Sequence, residues 1–159
     1  WPLALAQSFE RVYTFEPYGP NFKALTANCI DADNVIALQA ALGSTNELVG
    51  AVWARNHSDN LGAQYFCAGK GGVPQFSIDQ LMLDRCDLIY LDLEGKDFDA
   101  ILGAQDTIAE YRPVVVYEDR DHFQRFGYTQ GQARDWFKRR GYKMVSRLSR
   151  KDDAVWVPR

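Results

Sequence analysis

Cysteine is scarce: Cys29, Cys67 and Cys86 make an odd count without the paired spacing of a zinc site. They read as reduced thiols, which excludes a disulfide scaffold and fits a cytoplasmic protein. Histidine is scarcer still, with His57 and His122 both in loop-like sequence. No Ser/His/Asp spacing, P-loop or zinc pattern is present, so triad hydrolases, P-loop nucleotidases and zinc enzymes lose their usual signatures. No apolar run approaches the roughly eighteen residues of a membrane span, and a soluble chain is expected. Repeats, low-complexity tracts and linkers are absent too. A length of 159 residues at 47% hydrophobic content therefore predicts one domain with a real core over residues 1–159. The chain opens on Trp1-Pro2, shows no targeting segment, and reads as lacking its natural N-terminus.

The net charge of −3 conceals an asymmetry. Residues 1–119 carry 7 Lys and Arg against 17 Asp and Glu, and residues 120–159 carry 11 against 4. A basic end can hold phosphate, nucleic acid or an acidic glycan. It also reads as a solvated helix face, Arg134 to Arg140, that complements the acidic body. The second reading is preferred, because no nucleic-acid motif interleaves those residues.

Strand-like and helix-like segments alternate. Strands are expected at Arg11–Glu16, Asn34–Leu38, Glu47–Ala54, Asp87–Asp92 and Pro113–Glu118. Helices are expected over Trp1–Ser8, over Asn21–Asp31 behind Pro20, over Lys96–Tyr111, and from a Thr129 cap to Arg140 with Gly141 as the stop. Ser77–Leu81 reads as a short capped helix, and Arg55–Gly72 as a long irregular loop. Tyr142–Ser149 and Ala154–Val157, separated by Arg150–Asp153, form a terminal hairpin. The expected fold is α/β, a mostly parallel sheet with an antiparallel edge.

Two apolar runs end in carboxylates. Val12–Phe15 leads into Glu16-Pro17, and Leu88–Leu91 into Asp92-Leu93-Glu94-Gly95. Buried parallel strands read this way when their C-terminal ends deliver acids into a ligand crevice. Glu16 can accept hydrogen bonds from both ribose hydroxyls of an adenosine cofactor, or is an ordinary acid at a strand end. Pro17 and Tyr18 flank an adenine ring or simply form the turn. Asp92 and Glu94 share one side if their strand continues, and Glu118 from a neighbouring strand brings a third acid. Such a cluster can bind an amine, hold a metal or act as a general base, since adjacent acids raise one another's pKa. In the plainer reading Glu94 begins the next turn and caps the following helix.

Taken in order, these residues resemble the FkbM-type methyltransferases. Tyr13–Pro17 with Asn21 is similar to the family's Phe-Glu-Pro segment. Asn34-Val35 through Gly43 is similar to its third strand, and Asn60 with Gly62 to its Asn-x-Gly. Ser77–Leu81 resembles its Thr-Leu-Asp-Asp-Leu, and Leu88–Gly95 its Ile-Lys-Ile-Asp-Val-Glu-Gly, with Asp97 at a further acidic position. Arg112–Glu118, Gly141-Tyr142 and Val155–Pro158 complete the match. The resemblance implies a Rossmann-like class I methyltransferase sheet, S-adenosylmethionine as cofactor, and methyl transfer to a hydroxyl of a small molecule or glycan; no metal ligand is assigned. It implies that Glu16 holds the ribose with Pro17 in the same cofactor site, that Gln39 and Ala40 line the adenine side, and that Asp92 lies near the methionine part and the transferred methyl. Glu94 and Glu118 are then candidates for acceptor binding or proton removal. A homo-oligomer is compatible with this reading; membrane and nucleic-acid partners are not expected.

Two departures matter. Tyr90 stands where the family has Lys. The family's first strand and Gly-rich turn have no counterpart here, although that strand lies centrally, between Arg11–Glu16 and Asp87–Asp92. Either the chain is a truncated product, or the two flanking strands close up, or another molecule fills the gap, and the chain as given is expected to bind the cofactor poorly or not at all. The alternatives are a non-catalytic module of this fold that binds through its basic C-terminal face, and a nicotinamide-dependent dehydrogenase. The terminal hairpin and the missing G-x-G-x-x-G count against the dehydrogenase.

Overall fold

A computed structural model describes residues 1–53, 64–69, 71–147 and 153–159. Helix α1 (Pro2–Ala6) leads to strand β1 (Val12–Phe15), helix α2 (Gly19–Asn28) and strand β2 (Val35–Leu38). Strands β3 (Ala41–Leu42), β4 (Glu47–Trp53), β5 (Gln64–Ala68) and β6 (Val73–Phe76) follow, with a 3-10 turn at Ile78–Leu81. Strand β7 (Leu88–Tyr90), helices α3 (Asp97–Leu102) and α4 (Gln105–Tyr111) and strand β8 (Val114–Glu118) come next. A 3-10 segment at Asp121–Phe126, helix α5 (Gln130–Arg139) and strands β9 (Tyr142–Arg147) and β10 (Asp153–Pro158) complete the order.

The strands form three sheets rather than the single sheet expected. β1 and β2 pair in parallel, Val12 opposite Val35 through Phe15 opposite Leu38. The second sheet runs β7-β8-β10-β9: β7 and β8 are parallel, and the β9–β10 hairpin adds two antiparallel pairings. The third runs β3-β6-β4-β5, with β3–β6 parallel and β4 antiparallel to both its neighbours. The architecture is α/β and mixed; the terminal hairpin is where the sequence placed it.

The core lies against the second sheet. Val115, Tyr117, Ala154 and Trp156 from its strands meet Phe98, Ile101, Ile108, Ala133 and Phe137 from α3, α4 and α5. Phe137 stacks on Trp156 with ring centroids 5.0 Å apart and on Tyr117 at 5.8 Å. A fully buried aromatic side chain stabilises by about 2 kcal/mol, and well-placed ring pairs add roughly another 1 kcal/mol. The N-terminal elements are different: neither α1 nor α2 has a buried residue.

Several local expectations change. The helix over Lys96–Tyr111 is two helices, broken at Gly103-Ala104. A Cβ on Gly103 would lie 2.1 Å from the Gly43 carbonyl oxygen, so the chain turns where two backbones touch. The Gly103 carbonyl accepts the Asp79 N–H at 2.9 Å, and the Asp79 carboxylate accepts the N–H groups of Asp106 and Thr107 at the start of α4. The span Arg55–Gly72 contains strand β5, which pairs residue for residue with β4. His57, Asn60, Gly62 and Arg150–Asp152 lie outside the described residues. Thr129 does cap α5, in a capping box with Gln132, and Gly141 ends it at φ 70°. Cys29, Cys67 and Cys86 are free thiols, and burial pushes Cys86 up to about 11.

The Gly103 contact leaves no room for a methyl group. Gly103→Ala is expected to destabilise the fold by about 3 kcal/mol in urea unfolding, and a change below roughly 0.5 kcal/mol would refute the contact.

Candidate active site

β1 and β7 do not pair with each other. A cleft of about 970 Å³ lies between them, lined along β1 from Arg11 to Glu16 and along the β7 segment from Asp84 to Leu93. The two strands have not closed up. Glu16 and Asp92 both line this cleft, each just past the last residue of its strand.

Glu16 is held where β1 gives way to α2. One carboxylate oxygen accepts the Tyr18 N–H at 2.7 Å and the other the Asn21 side-chain amide at 3.5 Å. Burial raises its pKa, and these two donors pull it back. The carboxylate is therefore oriented and partly dehydrated, with lone pairs left for further donors.

The acids on the β7 side converge by a route that differs from the one expected. β7 ends at Tyr90, so Asp92 and Glu94 do not share one side of a continuing strand. Glu94 stands in a turn at φ 54°, and Gly95 follows at φ 100°. A Cβ on Gly95 would lie 2.5 Å from the His122 carbonyl oxygen, so glycine is needed twice over. Glu94 begins this turn without capping α3. Asp97 satisfies the turn instead: its carboxylate accepts the Leu93 and Gly95 N–H groups, both at 3.3 Å, and the Glu118 N–H at 3.4 Å.

Three carboxylates and one imidazole result. Burial and then the charge of Asp92 raise the pKa of both Glu94 and Glu118, while Arg120 opposes. Glu118 is only 9% exposed. One of its oxygens pairs with Arg120 at 3.1 Å, and the other, Oε2, is buried without a hydrogen bond. His122 Nδ1, also buried and without a hydrogen bond, stands 3.8 Å from Glu94 Oε2 and 3.8 Å from Glu118 Oε2. No set of three metal-ligating side chains able to hold an ion occurs among the described residues.

The remaining sites are more dispersed. Pro17 lies in the turn after β1. The Gln39 amide reaches toward Gly19, whose added Cβ it would touch at 3.4 Å. Ala40 is buried, so it presents no side-chain surface. On the basic face of α5, Arg134 pairs with buried Asp119 at 2.6 Å, Arg140 lies 3.8 Å over the Trp136 ring, and Lys138 pairs with Asp135 at 3.6 Å. These three charges have partners within the chain. Among the described residues no helix is long and apolar enough to cross a membrane. The sequence placed His122 only in a loop, and it gave Asp97 as a further acidic position without a role in the site. For Asp97 the available signal was its position two residues after the Glu94-Gly95 turn; for His122 there was none.

Residues 6–144 match the methyltransferase FkbM domain, and the chain belongs to that family. No curated protein matches it. Among solved structures it is similar to methyltransferase FkbM from Methylobacillus flagellatus KT, with a TM-score of 0.59 and 18% identity. That likeness covers 94% of this chain and 36% of the other, so the chain spans about a third of its neighbour's length.

Asp97 offers a test of the site's electrostatics. It is fully buried, and burial, reinforced by Glu118 and Asp92, pushes its carboxyl from 3.8 up to about 7. Between those values the folded state holds a proton that the unfolded chain has released. The contribution is complete below the unfolded value and is lost as pH rises through about 7. Asp97→Asn is expected to cost about 2 kcal/mol near pH 4.5, with the deficit shrinking toward pH 8 in urea titrations. A deficit that is constant or grows with pH would contradict this assignment.

Proposed function

We propose that this chain carries the cofactor and acceptor site of an S-adenosylmethionine-dependent O-methyltransferase. The observation that supports it most is the placing of Glu16 and Asp92 on one cleft, with the Glu94, Glu118 and His122 cluster electrostatically linked to Asp92. The residues fit the group. Glu16 is a fixed carboxylate with lone pairs to spare, which suits the two hydroxyl donors of a ribose. When bound, S-adenosylmethionine supplies a methyl group on a positively charged sulfur.

The chain's own tasks are then alignment and proton removal. Asp92 places a negative charge on the cleft near a cationic ligand. A hydroxyl of a small molecule or glycan would meet Glu118, whose Oε2 lacks a donor and whose basicity is raised by burial and its acidic neighbours. His122 stands within one short step of both Glu94 and Glu118, in position to share the proton released. The acidic cluster acts here as a base.

Binding is expected to be weak, because the cleft separates the strands that deliver the two carboxylates. Titration with S-adenosylmethionine carrying a ¹³C-labelled methyl, followed by NMR, suits that range. Glu16→Ala removes two charge-assisted hydrogen bonds, together about 2 kcal/mol, and should weaken binding about thirtyfold. Silence up to about 10 mM, a free energy near −3 kcal/mol, or equal binding by the variant would contradict the reading.

A further inference from the structure

We propose that Arg125 selects the methyl acceptor, and that the acceptor is a hydroxy acid whose carboxylate pairs with the Arg125 guanidinium. The proposal rests on the reading that the acceptor hydroxyl meets Glu118, and it adds a second point of attachment beyond Glu94. Three elements seat the guanidinium. Arg125 Nη1 donates to the Glu94 carbonyl oxygen at 3.4 Å, which ties it to the turn after β7. Its guanidinium carbon lies 5.4 Å from the centre of the Tyr65 ring on β5. Tyr65 meets the Phe126 ring edge-on at 5.9 Å, and the Lys96 ammonium stands 5.9 Å from the Phe126 ring centre. A guanidinium held against a ring loses little further freedom when a ligand arrives.

Most of its donors are unused. The side chain is exposed, and among the described residues no carboxylate pairs with it. Arg120, just ahead of the same 3-10 segment, is already taken by Glu118 at 3.1 Å. Charge then decides what belongs beside Arg125. Asp92, Glu94 and Glu118 repel an anion that approaches without a cation, so an acidic acceptor needs one next to the cluster. A neutral acceptor needs none. For a neutral acceptor Arg125 only weakens the base, because its charge pulls the Glu94 pKa down against burial and Asp92. A bound carboxylate cancels that charge and leaves the cluster more basic once the hydroxyl is in place.

The geometry also bounds the acceptor's size. His122 Nδ1 stands 3.8 Å from the Glu94 carboxylate and 3.8 Å from Glu118 Oε2, while Arg125 is bonded to the Glu94 carbonyl. The groups that take the proton and the group that holds the anion therefore flank the two ends of one residue. A single sugar or benzene ring spans that separation. The planar fork of a guanidinium takes a carboxylate through two parallel N–H groups, which fixes the ring's orientation as well as its charge. A ring that carries a hydroxyl on one side and a carboxylate on the other meets both requirements.

The test titrates the chain, without S-adenosylmethionine, with glucuronate against glucose and with para-hydroxybenzoate against para-hydroxybenzamide. NMR shifts of the Glu94, His122 and Arg125 amides report binding. At least one acid should bind about fivefold more tightly than its neutral counterpart, the upper range for an exposed ion pair. The pair that shows the preference identifies the ring. Arg125→Gln should abolish the preference, and Arg125→Lys, which keeps the charge without the fork, should retain part of it. Arg125 is exposed, so neither change threatens the fold. Glu16→Ala should leave the preference intact, which separates this proposal from the cofactor reading. Equal binding of acid and neutral partner, no shift at these amides up to about 50 mM, or a preference that survives Arg125→Gln would overturn it.

Discussion

One buried carboxylate organises the acidic half of this molecule. Asp97 has no exposure to solvent, yet it accepts backbone N–H groups from Leu93, Gly95 and Glu118. Those donors come from both sides of the Glu94 turn and from the end of β8. By joining them, Asp97 fixes how far the β7 exit stands from the neighbouring strand, and so how closely Asp92, Glu94 and Glu118 approach. Burying a group that prefers charge costs stability, and the three donors offset only part of it. Gly95 completes the arrangement: its positive φ and its close approach to the His122 backbone accompany an imidazole 3.8 Å from each of two carboxylates.

The molecule is uneven in how firmly it is held. The second sheet with α3, α4 and α5 owns nearly all of the buried aromatic surface. The β1–β2 pair, with α1 and α2 beside it, contributes Val12 and Cys29 and little else to the buried set. Glu16 belongs to the lightly held part and Asp92 to the firmly held one. Any ligand that touches both must bridge the cleft between them. Affinity for such a ligand would therefore be tied to whatever sets the distance between β1 and β7, and not to side-chain identity alone. Regions with few buried contacts open at low free energy, which is where ligand-coupled ordering is expected.

Much of this was legible in the residues, for identifiable reasons. Short apolar runs ending in acids marked β1, β7 and β8, because a run too short for a buried helix that closes on a turn leaves a simple pattern. Thr129 and Gly141 marked the ends of α5 through local cap chemistry that requires no tertiary partner. What stayed hidden depends on contacts distant in sequence. The break at Gly103 comes from its approach to Gly43, and the helix restart depends on the Asp79 carboxylate. β5 follows ten residues with loop-like composition, and its pairing with β4 overrode that surrounding signal. The separation of β1 from β7 by a cleft is a matter of strand pairing, which local periodicity does not report. Asp97 was visible as an acid at the start of a helix; only the fold reveals which amides it satisfies.

The central claim is that the two strand tips facing one cleft form the adenosyl site. A crystal structure with millimolar S-adenosylhomocysteine tests it most directly. The account predicts both ribose hydroxyls within hydrogen-bond distance of Glu16, and the sulfur end on the Asp92 side of the cleft. Density for the nucleoside elsewhere on the molecule, with Glu16 still bonded only to Tyr18 and Asn21, would contradict it.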